Sequence, residues 1–378
     1  MLSTDPSLDI FKSIIDPWYD SLKDPAEAQS KTLKTLLDDY AKTKYGQKHS
    51  ASSSFGIDEY RRHFPTVSYS DLKPLINDVS EGRYHTLLPE PPLTWVMTRG
   101  TTGPSKILPV TQKHMEQILL CGARAISNFI FRTKRVDLLS GKVLNLNFPS
   151  CTGLIKSGQE AITYGHSSGT YAKYISSFGG FELVPSQEKI DSLGGGLGWE
   201  DWLKRFELTY QLTRGEDVRV CMGVAPVLTS FARYVKRRYG IYPKNFWDIK
   251  AMFCTSVPRI QWKYAPVLKA MYGNAPVIEM YTATEGAFAQ QIDDLPYVSP
   301  NYDTYLFEVV TGRGVKMLYE MKRGEWGRLI ISSCLFPRYD IGDMVECLGG
   351  QYFRVFGRAK PLTILEHIVY RILTRWFI

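Results

Sequence analysis

Trp95-Val96-Met97-Thr98-Arg99-Gly100-Thr101-Thr102-Gly103-Pro104-Ser105-Lys106 begins as an apolar strand and ends in a turn of glycines, hydroxyls and a lysine. Outward from it, helical periodicity runs over 112–132 and strand-like runs follow at Val143–Phe148, Arg219–Val224, Ile249–Phe253, Val277–Met280 and Leu329–Ser332. Further helical patterns lie between them at 200–213, 227–239 and 260–272. Strands alternating with helices in this way predict an α/β sheet core covered by helices. In the turn itself, two glycines let the backbone approach a ligand closely, and the hydroxyls and N–H groups of 101–103 can surround phosphate oxygens. Lys106 adds a positive charge. Read alone, the segment is equally well a turn joining two elements.

Toward the N-terminus, residues 8–45 carry helical periodicity, with Asp16-Pro17 and Asp24-Pro25 expected to interrupt it. Ser70-Asp71-Leu72 reads as a capped helix start. The last third changes character. Tyr305–Val310, Val315–Tyr319, Leu329–Ser332 and Met344–Cys347 are short strands separated by glycine turns, which predicts a β-rich subdomain over 300–358. The run Gly194-Gly195-Gly196-Leu197-Gly198 lacks the Lys-Ser/Thr of a phosphate-binding P-loop and reads as a surface loop.

Composition narrows the function. Of 378 residues, 44% are apolar and 13% aromatic, which excludes disorder as the main state. The net charge of +8 is mild for this length and suits an anionic substrate such as a nucleotide, without arguing for nucleic acid. Cys121, Cys151, Cys221, Cys254, Cys334 and Cys347 form no Cys-x-x-Cys pair, and the six histidines form no metal motif. The cysteines read as reduced, buried thiols. Without a secretory signal or an 18-residue apolar run, the chain is expected to be cytoplasmic, with no membrane role.

Three more segments bear chemistry. Val277-Ile278-Glu279-Met280-Tyr281-Thr282-Ala283-Thr284-Glu285-Gly286 is a buried strand ending in an aromatic, hydroxyls and a carboxylate. Ligands of open α/β sheets sit beyond such strand ends, where Tyr281 can stack on a purine and Glu285 can reach magnesium. Pro337-Arg338-Tyr339-Asp340-Ile341-Gly342-Asp343 supplies a carboxylate suited to both hydroxyls of a ribose. In Phe356-Gly357-Arg358 the arginine suits phosphate or ribose. The bland readings are a strand end, a turn and a surface cation.

In order and spacing these segments resemble the motif series of the acyl-adenylate-forming enzymes. Within that superfamily the chain is similar to the Gretchen Hagen auxin-responsive family of acyl-acid amido synthetases, over roughly 55–360. Phe64-Pro65-Thr66-Val67-Ser68-Tyr69, Gly223-Val224-Ala225-Pro226 and Tyr297-Val298-Ser299-Pro300 resemble further family segments. The resemblance implies a large N-terminal adenylation domain, of stacked sheets with helices plus a distorted β-barrel, over 1–360. A helical stub at 361–378 would follow the hinge, with the family's C-terminal lid absent. It implies ATP and Mg2+, a carboxylic acid, and an amino acid or coenzyme A as acceptor. It places Thr101, Thr102, Gly103 and Lys106 at the phosphates, and Tyr281, Thr282 and Ser256 by the adenine. Thr284 and Glu285 fall near phosphate and magnesium, and Asp343 and Arg358 at the ribose, with Lys106, Glu285 and Arg358 as catalytic groups.

Arg99, Asp340 and Ala359-Lys360 depart from the pattern, where small hydroxyl, small or basic, and hinge acidic residues are usual. Leu154, Thr163–Gly165, Val224–Ala225 and Thr255–Val257 are the expected acid-pocket lining. In the tail, Leu365, Ile368, Val369, Ile372, Leu373 and Trp376 are expected to share one side of a helix, either a stub of the lid or a docking helix for another surface. The main reading is amide formation through an acyl-adenylate. A coenzyme A ligase and a lid-less nucleotide-binding partner are the alternatives.

Overall fold

The computed structural model describes residues 8–98, 105–157, 160–178 and 182–374. An N-terminal helical layer comes first: α1 (Asp9–Lys23), α2 (Pro25–Tyr40), α3 (Lys44–Lys48), α4 (Ile57–His63) and α5 (Tyr69–Ser80). Pro17 does not break α1, contrary to expectation. Ile15 and Trp18 beside it are fully buried, and the Trp18 indole donates to the Pro300 carbonyl at 2.9 Å. That packing offsets the cost of about 3 kcal/mol for a proline inside a helix. The break at Asp24-Pro25 does occur, and there the Asp24 carboxylate caps α2 through the Glu27 N–H at 3.0 Å. The α5 start is two residues earlier than expected. Ser68 is its cap, and Asp71 returns a bond to the Ser68 N–H at 2.7 Å.

Three sheets follow. Strands β1 (Thr94–Met97) and β2 (Ile107–Val110) form an antiparallel pair, and the long helix α6 (Gln112–Thr133) leaves from β2. Next come β3 (Lys142–Asn145), β4 (Gly153–Ser157), β5 (Glu160–His166), α7 (Ser167–Phe178), β6 (Leu183–Val184), α8 (Gln187–Asp191) and α9 (Trp199–Thr213). The second half of the α/β core holds β7 (Val218–Val224), α10 (Ala225–Tyr239), β8 (Ala251–Thr255), α11 (Ala265–Tyr272), β9 (Val277–Ala283), β10 (Gly286–Gln290) and β11 (Ser299–Pro300). The small sheet is order β2-β1-β5-β4 and the large one β11-β10-β9-β8-β7-β3-β6. Five large-sheet strands, β6, β3, β7, β8 and β9, run parallel, as strand–helix alternation requires.

The two faces of that sheet pack differently. Val143, Val220, Phe253, Ile278 and Met280 face a cluster with Ala125, Ile126 and Phe129 of α6. Leu144, Cys221, Met252, Cys254 and Val277 face α10 and α11. Such two-sided burial explains why these strands read as continuous apolar runs rather than alternating ones.

The C-terminal part is a five-stranded antiparallel sheet, order β13-β12-β14-β15-β16. Its strands are β12 (Leu306–Thr311), β13 (Gly314–Met317), β14 (Trp326–Ser332), β15 (Tyr339–Gly349) and β16 (Tyr352–Arg358). The strand expected at Met344–Cys347 begins five residues earlier, at Tyr339. Helix α12 (Pro361–Thr374) ends the described chain. Leu365, Ile368, Val369 and Ile372 share an apolar side that is exposed rather than packed on the sheet. His367 docks instead, its ring stacked on Phe356 at 3.8 Å, and Arg371 donates to the Gly324 carbonyl at 2.6 Å. The Leu373 side chain and Trp376 lie outside the described set. Among the described residues no helix is long and apolar enough to cross a membrane.

Candidate active site

A cavity of about 1690 Å³ opens where the carboxyl ends of β7, β8 and β9 meet β15, β16 and α6. Lys106, Ser256, Tyr281, Thr282, Thr284, Glu285, Asp343 and Arg358, drawn from five separate stretches of chain, all line it. Thr101, Thr102 and Gly103 lie outside the described residues. The ends of their segment are tied together, since Lys106 N–H donates to the Thr98 hydroxyl and Thr98 N–H to the Lys106 carbonyl, both at 2.9 Å.

One half of the site is built around a lysine and a carboxylate. Lys106 Nζ lies 4.0 Å from Glu285 Oε1. Tyr339 stands between them: Lys106 donates to its hydroxyl at 3.0 Å, and the hydroxyl donates to Glu285 at 3.1 Å. Burial and the Glu285 charge raise the Tyr339 pKa, so the phenol stays a donor. The sequence pattern did not single out Tyr339, although a tyrosine just before the Asp343 turn was visible. Its placement follows from Arg338, which adopts φ +43° and turns its guanidinium inward. Arg338 donates from Nε to Glu308 at 2.9 Å and from Nη1 to the Phe64 carbonyl at 2.7 Å.

The other half centres on Asp343, which is 8% exposed. Tyr281 donates to Asp343 Oδ2 at 2.7 Å, and Arg358 donates to Oδ1 at 2.8 Å. Arg358 also reaches the Ile341 carbonyl at 2.8 Å. Burial lowers the Arg358 pKa, but the Asp343 charge, its hydrogen bond and the nearby Glu285 together outweigh burial and raise it. Asp340, a departure from the family pattern, bends the strand here by accepting from Gly342 N–H at 2.9 Å. Gly342 has φ +79°, a conformation that favours glycine.

Strand β9 divides the cavity, because successive side chains point to opposite faces. Glu279 and Tyr281 lie on one face. Met280 and Thr282 lie on the other, where the Thr282 hydroxyl is hydrogen-bonded to that of Thr255. Tyr281 and Thr282 therefore do not share a side. Thr284 is anchored from behind: the Tyr171 hydroxyl donates to its carbonyl at 3.1 Å and lies 3.4 Å from His114 Nε2. Burial pushes the His114 pKa down to about 4. Tyr171 and His114 carried no motif, while Glu279 stood within the chemistry-bearing strand Val277–Gly286 but was given no role there. Of the expected acid-pocket residues, Val224 and Thr255–Val257 line the cavity. Leu154 points outward and is 67% exposed, while its neighbour Ile155 faces in. Gly165 is packed on the Ser150 backbone instead, where a Cβ would lie 2.1 Å from its carbonyl carbon.

Residues 15–191 match the GH3 family N-terminal domain. The jasmonoyl–L-amino acid synthetases JAR4 and JAR6 of Nicotiana attenuata are 25% and 26% identical to the chain over 154 residues. Those alignments cover 40% of this chain and 26% of each relative, so the match spans about a quarter of their length. The GH3.15 acyl acid amido synthetase, solved in complex with 2,4-DB, superposes with TM-score 0.73 at 14% identity, covering 95% of this chain and 72% of that one. The chain is GH3-like. A 2-hydroxyisobutyryl-CoA ligase, in complex with 2-HIB-AMP and CoA, superposes with TM-score 0.63 at 14% identity over 90% of this chain and 69% of its own. Both likenesses give the GH3-like chain the acyl-adenylate-forming fold, as its motif order implied.

Proposed function

We propose that the protein activates a carboxylic acid with ATP, releasing pyrophosphate, and passes the acyl group to an amine. The observation that carries this reading is the convergence of two preassembled groups in one cavity: Lys106–Tyr339–Glu285, and Asp343 held by Tyr281 and Arg358. The first suits phosphates and the second a ribose. Two oxygens of an ionised carboxylate offer about four acceptor positions, so Asp343 retains room for a diol. Mg2+ fits as a substrate-bound ion. Among the described residues no group of three His, Cys, Asp or Glu converges, so Glu285 would complete a shell made mainly of phosphate oxygens and water. The ion would supply charge neutralisation on the phosphates.

In the first step a carboxylate oxygen attacks the α-phosphorus, and the bond to the bridging β-phosphate oxygen breaks. Lys106 lies where it can offset the added negative charge, and Glu285, through Tyr339, keeps its ammonium in place. Arg358 and Tyr281 hold the Asp343 carboxylate in place for the ribose. In the second step the amine nitrogen attacks the acyl carbon, AMP leaves and the amine gives up a proton. The names of the matched relatives favour an amino acid over coenzyme A as acceptor. The adenylation domain would span 1–360, with 300–358 as its β-rich part and 361–378 as a helical segment beyond the hinge. Six free thiols, five of them buried, suit a reducing, cytoplasmic setting.

The test is pyrophosphate release with ATP, Mg2+ and a panel of acids, followed by mass spectrometry of products with amino acids or coenzyme A. Acid-dependent release and an N-acyl amino acid are expected. A thioester in place of an amide would reassign the acceptor, and no ATP binding at all would remove the reading.

A further inference from the structure

Two oppositely charged side chains of the cavity lining belong to neither half of the nucleotide site. The first is Lys73 of α5, which is exposed and lines the cavity. Among the described residues no carboxylate pairs with it. The other lysine and the arginine of the described lining are committed, Lys106 to Tyr339 and Arg358 to Asp343. Ser70, Lys73, Asn77 and Ser80 line the cavity at helical spacing, while Leu72 and Val79 are buried in the core. Helix α5 thus turns a polar stripe with one cation toward the cavity.

The second is Asp340, a carboxylate where the family pattern has a small or basic residue. It lines the cavity, and its side chain is 19% exposed. One oxygen accepts from Gly342 N–H at 2.9 Å, and the other lies 3.2 Å from Nε of the half-exposed Arg328. Two contacts leave about two of the four acceptor positions of the carboxylate open.

Backbone bonds bring these two residues to one end of the cavity. Val67 N–H donates to the Arg338 carbonyl at 3.0 Å, and Asp340 N–H donates to the Val67 carbonyl at 2.8 Å. These bonds lay β15 against the residue that precedes the Ser68 cap of α5. Tyr69 and Lys73, four residues apart, are neighbours on α5, with Cβ atoms about 5–6 Å from each other. The Tyr69 ring centroid lies 5.4 Å from Lys106 Nζ. A molecule seated between Lys73 and Asp340 is therefore next to the phosphate lysine. Asp340 also stands between Tyr339 of the phosphate half and Asp343 of the ribose half, where the α-phosphate and its acyl group would be.

We infer that Lys73 and Asp340 bind the acceptor as a zwitterion, Lys73 taking its α-carboxylate and Asp340 its ammonium. This rests on the adenylation reading above and names the acceptor class within it, an α-amino acid. Held by Asp340, the nitrogen lies on the acyl side of the site, and Lys73 fixes the other end of the molecule. Coenzyme A has a neutral thiol as its nucleophile and offers no cation for Asp340 to hold.

The test uses the acid that releases most pyrophosphate and compares three acceptors: the best amino acid of a panel, its α-amide, and hydroxylamine. Lys73→Met is expected to raise the KM of the amino acid about tenfold, the worth of one charge-assisted bond, and to leave that of the α-amide unchanged. Asp340→Asn keeps an acceptor for Gly342 and should raise the KM of both about tenfold. Neither variant should change the KM of hydroxylamine, which is uncharged, or that of ATP in pyrophosphate release. A raised KM for ATP in Lys73→Met would give that lysine to the phosphates and overturn the inference. An amino-acid KM indifferent to both substitutions, or a thioester as the sole product, would overturn it as well. No acid-dependent pyrophosphate release by the parent protein would instead remove the adenylation reading, and the zwitterion site with it.

Discussion

Asp343 and Lys106 could be picked out in the sequence because each closely follows a glycine, Gly342 within β15 and Gly103 just before β2. Their partners were not legible. Tyr339 and Tyr281 are aromatic residues in apolar surroundings, and only the fold reveals that their hydroxyls meet Glu285 and Asp343. Because Asp343 would accept both ribose hydroxyls, Asp343→Ala removes two charge-assisted bonds, each worth about 1.5–3 kcal/mol before water compensates. Nucleotide affinity is expected to fall at least tenfold with an unchanged circular dichroism spectrum, and unchanged affinity in calorimetry would exclude the ribose role. In the proposed reaction Lys106 would offset charge that develops on the phosphates, so Lys106→Met should cost about 10²–10³ in pyrophosphate release and little in ATP affinity. Tyr339→Phe keeps the ring and removes the bridge between Lys106 and Glu285. A rate loss smaller than that of Lys106→Met is expected, and an equal loss would make the phenol itself a catalytic group.

Among the elements, periodicity located the parallel strands and their helices well, because apolar runs and 3.6-residue patterns report burial directly. It failed where long-range packing overrides a local rule. Pro17 stays within α1 because Trp18 is anchored to Pro300, a contact 282 residues distant in sequence. Helix α12 is held on the sheet by His367 and Arg371, contacts that periodicity does not report, and its leucine and isoleucine side stays exposed. The start of β15 was hidden for a similar reason: Arg338 looks like a surface cation, yet only 7% of its side chain is exposed, against 1% for Glu308. Arg61 shares the same carboxylate at 2.8 Å, which ties α4 to β12 and β15. Removing one partner of a buried pair leaves an uncompensated charge and costs about 3–5 kcal/mol. Arg338→Met is therefore expected to lower the urea midpoint sharply, with Arg338→Met/Glu308→Gln recovering part of the loss. A single variant as stable as the parent would show that Arg61 alone satisfies Glu308.

At the scale of the whole molecule, Glu279, a half-buried carboxyl in the cavity lining, and His114, a buried imidazole outside it, give folding stability opposing pH dependences. Burial pushes the Glu279 carboxyl up to about 7 from its ordinary 4.5, and pushes His114 down to about 4 from 6.5. Between pH 4.5 and 7 the folded chain keeps a proton on Glu279 that the unfolded chain gives up. The Glu279 contribution is thus fully present below pH 4.5 and is lost as pH rises through 7. His114 runs the other way: the unfolded imidazole binds a proton that the folded one refuses, so its contribution is present above pH 6.5 and lost as pH falls through 4. Over the shared window the two largely cancel, and the parent protein shows little slope from them. Glu279→Gln keeps the shape, removes the titration and exposes the imidazole's slope. Inside that window each step of one pH unit changes the Glu279 contribution by about 1.4 kcal/mol, so the variant should gain on the order of 2–3 kcal/mol relative to the parent between pH 5 and pH 8. Urea unfolding of both proteins at those two pH values measures the difference. A gap that does not change with pH would mean that Glu279 ionises in the folded chain as it does in water, and that the β9 face it occupies is wet.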